Sequence, residues 1–440
     1  MLTTLLLLLH LLSLPLTDAS ILFTHGTLIT FNRTAYSLSV LRNASLLVAN
    51  NQTAYKTLGS NTTLVEYFFR YDELASAGLL MAEDVCLGQL AGIYEGLNAG
   101  VTTTSKAGAR ASVDSGGGGG GGRYFGVMRS IRLMGAPSRR KFSSFRDIAV
   151  DSPVVGSSTM SIGIAYDTFH PDGNTTQIDT LRSLISEFNT SVLTTHVLSG
   201  PWGAENMPLA VLNLGILSLD LPIVFSHASL ISAYDFQLLR RYNQHISITS
   251  ESETHFGQTN SVSHRIQDQA ALGVDTHFTF SSDIVTQARV WLHEVRRRGY
   301  DPVLESVNQA FLLTTRQGGL ALHREDLGVI EVGAKADLVV WDGLRRECWG
   351  GNDPVAAVML HASVGDVKHI ADAWYDELKK RFLASAKRLQ TVLIESASEA
   401  PKKGDAWAFS GYPVGTAETI DTLRGNGIGY GEFFLDASES

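Results

Sequence analysis

Ser191-Val-Leu-Thr-Thr-His-Val197 and Pro222-Ile-Val-Phe-Ser-His227 decide the fold, because each is a short apolar run with a histidine at or next to its end. Runs of that length rich in Val, Ile and Phe read as buried strands. Four more short strand-like runs are Val101–Thr104, Ser161–Tyr166, His245–Thr249 and Gly273–Phe278. Amphipathic helices lie between them. Gln177–Phe188 sets Leu181, Leu184, Ile185 and Phe188 on one face, Ser232 with Asp235 forms a capping box, and Asp283–Arg298 runs from an acidic start to three arginines and Gly299. This alternation, from Val101 to about Tyr300, predicts βα units on a parallel sheet.

An open doubly wound sheet and a closed eightfold barrel share that alternation. No Gly-rich phosphate loop follows a strand and the polar residues sit at strand ends, so the expected class is α/β with a (β/α)8 TIM-type barrel over residues 61–326. Gly116–Gly122 is a run of glycines that can hold neither helix nor strand, and Ser138–Phe145 after it is basic and Ser-rich. Residues 116–151 are therefore expected to be the least ordered internal stretch. Upstream, Ile21–Val48 reads as a small antiparallel sheet, and Thr63–Asn98 as helical, with Leu64, Tyr67, Phe68 and Tyr71 at spacings of three and four. Downstream, Leu327–Asp342 is strand-like, and Tyr375–Ile394 is a charged amphipathic helix opening a Gly-rich tail over 375–440.

The 440 residues, 44% hydrophobic and 18% charged, suit a folded globular protein, either roughly three domains or one barrel of about 250 residues with satellites. With 44 acidic against 35 basic residues the net charge is −9 and no basic stripe stands out, which argues against a nucleic-acid partner. Two cysteines, Cys86 and Cys348, allow at most one disulfide and exclude a Cys-based zinc module. An apolar run from Leu5 to about Leu16 is too short to span a bilayer; with Thr17-Asp18-Ala19 it is expected to be a secretory signal peptide over residues 1–19, although a basic start is missing. Asn-x-Ser/Thr sequons at Asn32, Asn43, Asn51, Asn61, Asn174 and Asn189 agree with a secreted glycoprotein, and a Ser/Thr-rich chain also produces them by accident. Without cleavage the protein would stay cytoplasmic.

His196, His227 and Asp275 end predicted strands, separated by 31 and 48 residues, which match one and two βα units. In a barrel the strand C-termini converge on one mouth, so the three would meet there. Two imidazoles and a carboxylate are a donor set for zinc or iron, which would lower the pKa of a bound water. The alternative is that each is an ordinary half-buried polar residue. Glu251, Glu253 and His255, just past the seventh strand, are candidate loop ligands or pocket-lining groups, or else solvated surface. Trp202 and Glu205 line a substrate pocket or stabilise a loop as an aromatic lid. His25 and His277 read as structural.

The run Leu327-Gly-Val-Ile-Glu-Val-Gly-Ala-Lys-Ala-Asp-Leu-Val-Val-Trp-Asp342 resembles the G-x-I-x-x-G-x-x-A-D-L-V-V-x-D strand pair that closes the small β-sandwich of amidohydrolase-superfamily enzymes. Ala310–Leu322 is similar to the family's preceding helix, Asn98-Ala-Gly-Val-Thr-Thr-Thr104 to its second strand, and Ile21–Asn32 to its opening strand pair. The similarity covers roughly residues 20–370 and is closest to triazine hydrolases and the cytosine, guanine and adenosylhomocysteine deaminases. It implies a composite β-sandwich from 20–50 and 327–374 beside a metal-bearing barrel, and a small-molecule substrate, a nitrogen heterocycle or amidine-like compound, with a homo-oligomer as a further expectation. Carried over, His196 is the fifth-strand metal ligand, His227 the sixth-strand histidine that orients substrate or water, and Asp275 the eighth-strand ligand and proton acceptor. The implied reaction is hydrolysis of a non-peptide carbon–nitrogen bond.

Two departures stand against this pattern. The family's first strand ends in His-x-His, which occurs nowhere in this chain, and Ser199 stands where many of these deaminases have a glutamate three residues after the fifth-strand histidine. Val48-Ala-Asn-Asn-Gln52 passes straight into Thr53–Ser60, so the first barrel strand looks deleted, and Ser105–Arg110 goes directly into a helix-like segment instead of through the loop expected over the barrel mouth. The second reading is thus a metal-free, inactive homologue that keeps the scaffold, or the product of an erroneous gene model.

Overall fold

The computed structural model describes residues 23–32, 37–46, 59–71, 92, 95–107, 127–133, 160–170, 175–198, 206–258, 262–277, 279–297, 305–335, 337–341, 353–367 and short parts of 384–395. Strands β1 (Phe23–Asn32) and β2 (Ser37–Leu46) pair antiparallel, with Ile29 opposite Val40, as expected for this stretch. Helix α1 (Leu64–Arg70) starts where Thr63 accepts the Glu66 backbone N–H.

Seven further strands form one parallel sheet in chain order: β3 (Thr104–Ala107), β4 (Val127–Leu133), β5 (Met160–Tyr166), β6 (Leu193–Val197), β7 (Ile223–His227), β8 (His245–Ile248) and β9 (Ala270–Leu272). The order never reverses, so the sheet has no switch point and the doubly wound alternative falls. Ile164, Leu193, Ile223, Phe225 and Ile246 are buried within one cluster that also takes Leu181 and Leu184 of α2 (Thr175–Glu187) and Trp291 and Leu292 of α6 (Ile284–Arg297). Apolar strands covered by helices need no alternating pattern, which is why they read as continuous apolar runs. Each such side chain contributes roughly 1.5–3 kcal/mol by leaving water.

The helix grammar holds. Ser232 and Asp235 cap α4 (Ala233–Arg241) reciprocally, and Asp283 accepts from the Val285 N–H at 3.0 Å at the start of α6.

Four expectations are corrected. The last strand lies earlier than Gly273–Phe278, because Ile246–Ile248 pair with Ala270–Leu272; a Cβ at Gly273 would stand 2.5 Å from Ser247 Oγ, so the chain passes too closely to keep the ladder going there. Asp275 therefore sits in a bend past the strand. Secondly, β4 falls inside 116–151, paired from Val127 with Met160 to Leu133 with Tyr166 and also with β3. Two neighbouring strands impose this, against a local sequence that carries Arg129 and Arg132. Thirdly, β3 lies later than the expected Val101–Thr104, since it is Thr104–Ala107 that pair with Val127–Ser130.

The fourth correction concerns residues 327–341, which run irregularly, with one antiparallel bridge from Trp341 to Val367. The buried Arg316 guanidinium takes the carbonyls of Leu327 at 2.8 Å and Glu325 at 3.2 Å, so the beginning of this segment serves a cation and not a ladder. Gly328, at φ +69°, allows it: a Cβ there would lie 2.6 Å from Arg316 Cα. Farther along, Asp337 accepts from Thr103 Oγ1 and Val339 packs over Gly100. The helix expected over Ala310–Leu322 is broken at Thr315 into α7 (Val307–Thr314) and α8 (Arg316–Ala321).

Among the described residues no helix is long and apolar enough to cross a membrane. Residues 1–22, the glycine run, Cys86, Cys348, residues 199–205 and most of 375–440 lie outside the described residues.

Candidate functional site

A parallel sheet puts all its strand C-termini on one side, the side on which α/β proteins bind ligands. His196 is the penultimate residue of β6, His227 the last of β7, and Asp275 follows β9. The sheet thus brings the three to one edge. The His196 and His227 rings stand 5.8 Å apart, centre to centre, inclined at 30°. Two backbone turns set this edge: His227 (φ 67°), Ala228 (φ 52°) and Asp275 (φ 67°) all adopt the left-handed conformation without being glycine. Such a conformation costs roughly 1–3 kcal/mol per residue and needs fixed surroundings to persist. The Ala228 N–H, donated to Val197 O at 2.7 Å, is part of those surroundings.

Asp167, the residue after β5, holds His196. Its Oδ2 is 2.9 Å from His196 Nδ1, and its Oδ1 accepts the His196 backbone N–H at 2.7 Å and the Thr195 hydroxyl at 3.3 Å. A carboxylate only accepts, so the His196 proton lies on Nδ1 and the lone pair on Nε2. Asn206 locks the pair by donating to His196 O at 2.9 Å and Asp167 O at 3.3 Å while accepting from Phe169 N. Neither Asp167 nor Asn206 stands out in the sequence. The signal available was only that Tyr166-Asp167 ends a strand as Thr195-His196 does.

Asp275 accepts from Ser252 Oγ at 2.6 Å, and Ser252 belongs to α5 (Ser250–His255), which follows β8. The same helix carries Glu251, Glu253 and His255, expected as a loop cluster. They do not converge. Positions two apart on a helix face opposite ways. Glu251 accepts from Gln287 Nε2 at 2.6 Å, and burial raises its carboxyl above the usual range; His255 Nε2 is 3.2 Å from Thr62 O, its ring against Phe256 and Phe280. Glu253 is wholly buried on the other face, so it is no solvated surface residue. Burial pushes its carboxyl up to about 8. Trp202 and Glu205 lie outside the described residues.

Zinc or iron needs four donors at a structural site, or three and a water at a reactive one. Among the described residues no three His, Cys, Asp or Glu side chains stand together to hold an ion, and the chain has no His-x-His to add. His227 Nδ1 is 2.7 Å from Thr249 Oγ1, and Asp275 has one oxygen on Ser252. This donor set does not fit a mononuclear metal.

The same architecture occurs in solved structures of zinc-bound adenosine deaminase from Xanthomonas campestris (TM-score 0.66, 15% identity, 84% of this chain and 98% of that one) and of an atrazine chlorohydrolase variant from Arthrobacter aurescens with zinc and atraton (0.65, 14%, 84% and 99%). Guanine deaminase from C. acetobutylicum with bound guanine shares it as well (0.61, 13%, 79% and 97%). The fold is shared with these deaminase and chlorohydrolase structures. In sequence, 5'-deoxyadenosine deaminase of Methanopyrus kandleri is 30% identical over 108 residues, so the match spans 24% of this chain and 24% of that relative. No protein-family model matches the chain. In this chain's own sheet β3 to β9 are seven consecutive parallel strands, and β6, β7 and β9 bring His196, His227 and Asp275 to one edge.

Proposed function

We propose that this chain is a relative of the deaminase and chlorohydrolase branch of amidohydrolases, built on a carbon–nitrogen hydrolase scaffold whose metal centre is incomplete. In this reading β3–β9 are the second to eighth strands of a barrel lacking its first, residues 61–326 form the barrel, and 20–50 with 327–374 form the composite sandwich. A tail over 375–440 follows. The observation that carries the reading is the donor count: His196 and Asp275 are in place and the first-strand histidine pair is absent. Without a third and fourth donor, water is not held in line for attack. What the remaining groups can do is bind. His196 presents a lone pair on Nε2, and the Asp275 carboxylate can accept from a ring N–H or an exocyclic amine, which suits a nitrogen heterocycle or amidine-like small molecule.

The test is elemental analysis of the purified protein together with ammonia release from adenosine, guanine and cytosine. Well under one zinc or iron per chain and no ammonia are expected; stoichiometric, tightly bound metal would overturn the reading. Sequencing the transcript separates a lost strand from a missing exon. A segment with His-x-His between Val48 and Gln52 would restore the enzyme. We further propose that residues 1–19 are a cleaved signal peptide and that the chain is a secreted glycoprotein. Expression in a eukaryotic host should then give protein beginning at Ser20, and an unglycosylated cytosolic product keeping Met1 would refute it. Sedimentation at micromolar concentration tests a homo-oligomer.

A further inference from the structure

We propose that Glu253 is a positioning residue that, through the Thr249 hydroxyl, fixes His227 as the Nδ1–H tautomer and so sets the lone pair on Nε2. Glu253 is a misfit among the buried residues. Glu253 is buried at 1% exposure, and its Oε2 has no hydrogen-bond partner. A buried carboxyl with a bare oxygen is a poor choice for stability alone, where a leucine of similar size would cost less. Its other oxygen is well used. Oε1 accepts the Thr249 backbone N–H at 2.9 Å and the Thr249 hydroxyl at 3.4 Å, and it lies 3.8 Å from His227 Nδ1.

The hydroxyl of Thr249 has one proton. When that proton points to Glu253 Oε1, the oxygen turns a lone pair toward His227 Nδ1, 2.7 Å away, and Nδ1 must then supply the hydrogen. Remove the acceptor at Oε1 and the hydroxyl can rotate to donate to Nδ1 instead, which reverses the tautomer. The ring cannot evade this by swinging out, because His227 is 7% exposed and its backbone is fixed at φ 67°. Glu253 keeps its acceptor role when protonated, since Oε1 is already taken by the Thr249 N–H and the acid hydrogen falls to Oε2. His196 beside it is set the same way by Asp167, so two adjacent imidazoles share one tautomer, each fixed from behind. The relevance of this to substrate rests on the hydrolase reading of the site; the tautomer itself does not.

Long-range 15N–1H correlation of histidine-labelled full-length protein reads the tautomer directly, with His227→Gln to assign the signal. His227 in the intact protein is expected as Nδ1–H. Thr249→Val and Glu253→Leu should each raise the Nε2–H to Nδ1–H ratio about tenfold, the equilibrium worth of one net hydrogen bond. Thr249→Ser and Glu253→Gln, which keep the hydroxyl and the acceptor oxygen, should leave it near the original value. An Nε2–H tautomer in the intact protein overturns the proposal, as does an unchanged ratio in Thr249→Val. If Glu253→Leu fails to fold, the Thr249→Val and Thr249→Ser pair still decides. Because no turnover is read, absence of hydrolase activity leaves the result standing.

Discussion

Strand β8 places a buried titratable group near each of its ends, and the two are handled in opposite ways. At its start, His245 is buried beside His323, the ring centres 6.5 Å apart, and burial together with the neighbouring imidazole lowers His245 to about 4. His245 is thus a neutral filler whose Nδ1 has no hydrogen-bond partner. Past the other end, Glu253 is an acid kept protonated by burial, linked through Thr249 to His227 on the adjacent strand, while Ser252 links the same helix to Asp275. The contrast follows from the fold: polar groups before a strand lie among tight connections, whereas those beyond it lie where several strands deliver side chains to one place.

The difference gives opposite pH responses. Glu253 has its folded pKa raised from 4.5 to about 8, so the stability it allows is complete below pH 4.5 and is lost as pH rises through 8. His245 has its folded pKa lowered from 6.5 to about 4; its contribution is complete above pH 6.5 and is lost as pH falls through 4. Between pH 4.5 and 6.5 the two oppose each other, and above 6.5 only the Glu253 slope remains. The largest expected effect is at Asp167. Replacing it by alanine strands the His196 ring and backbone N–H groups and the Thr195 hydroxyl, a loss of about 3–5 kcal/mol in urea unfolding. A loss below 1 kcal/mol would place Asp167 outside the network.

Next comes the acid limb. His245 alone would lower the unfolding free energy by up to about 3 kcal/mol between pH 6.5 and 4; because Glu253 offsets this down to pH 4.5, the original chain should stay nearly level there, and His245→Asn should instead gain stability as pH falls from 6.5 to 4.5. On the alkaline side, urea titrations at pH 6.5 and 8 should differ by about 2 kcal/mol in the original chain, with Glu253→Gln removing most of the decline. An unaltered slope in Glu253→Gln would mean that the carboxyl is ionised at neutral pH. The smallest effect is expected at the exposed Arg240–Asp268 pair near the start of β8, where Arg240 Nε lies 2.6 Å from Asp268; the double-mutant coupling should stay below about 1 kcal/mol and fade with salt.

Much of this was legible in the residues. The strands carrying His196 and His227 were found within two residues, because a strand buried on both faces needs an apolar run and the residue closing it marks the ligand side. The helix from Asp283, the Ser232–Asp235 cap and the β1–β2 hairpin were legible too, since periodicity and capping act within a few positions. By contrast, β4 was hidden: Val127-Met-Arg-Ser-Ile-Arg-Leu133 is a weak strand on its own terms and is held by pairing on both sides. The strand motif at Leu327–Asp342 misled for a related reason, since a buried guanidinium from another helix claims the Leu327 carbonyl.

The sequence by itself determined the α/β class, the strands that deliver the two histidines, and the lack of a His-x-His pair, because composition, period and residue identity are properties of the chain before it folds. Only the tertiary structure decided that Asp167 stands behind His196, that Asp275 lies in a bend beyond its strand, and that Glu253 is sealed inside and tied to His227. Each of those depends on which residues distant in the chain come within about 3 Å of one another, and a parallel sheet fixes that only when its neighbouring strands are in register.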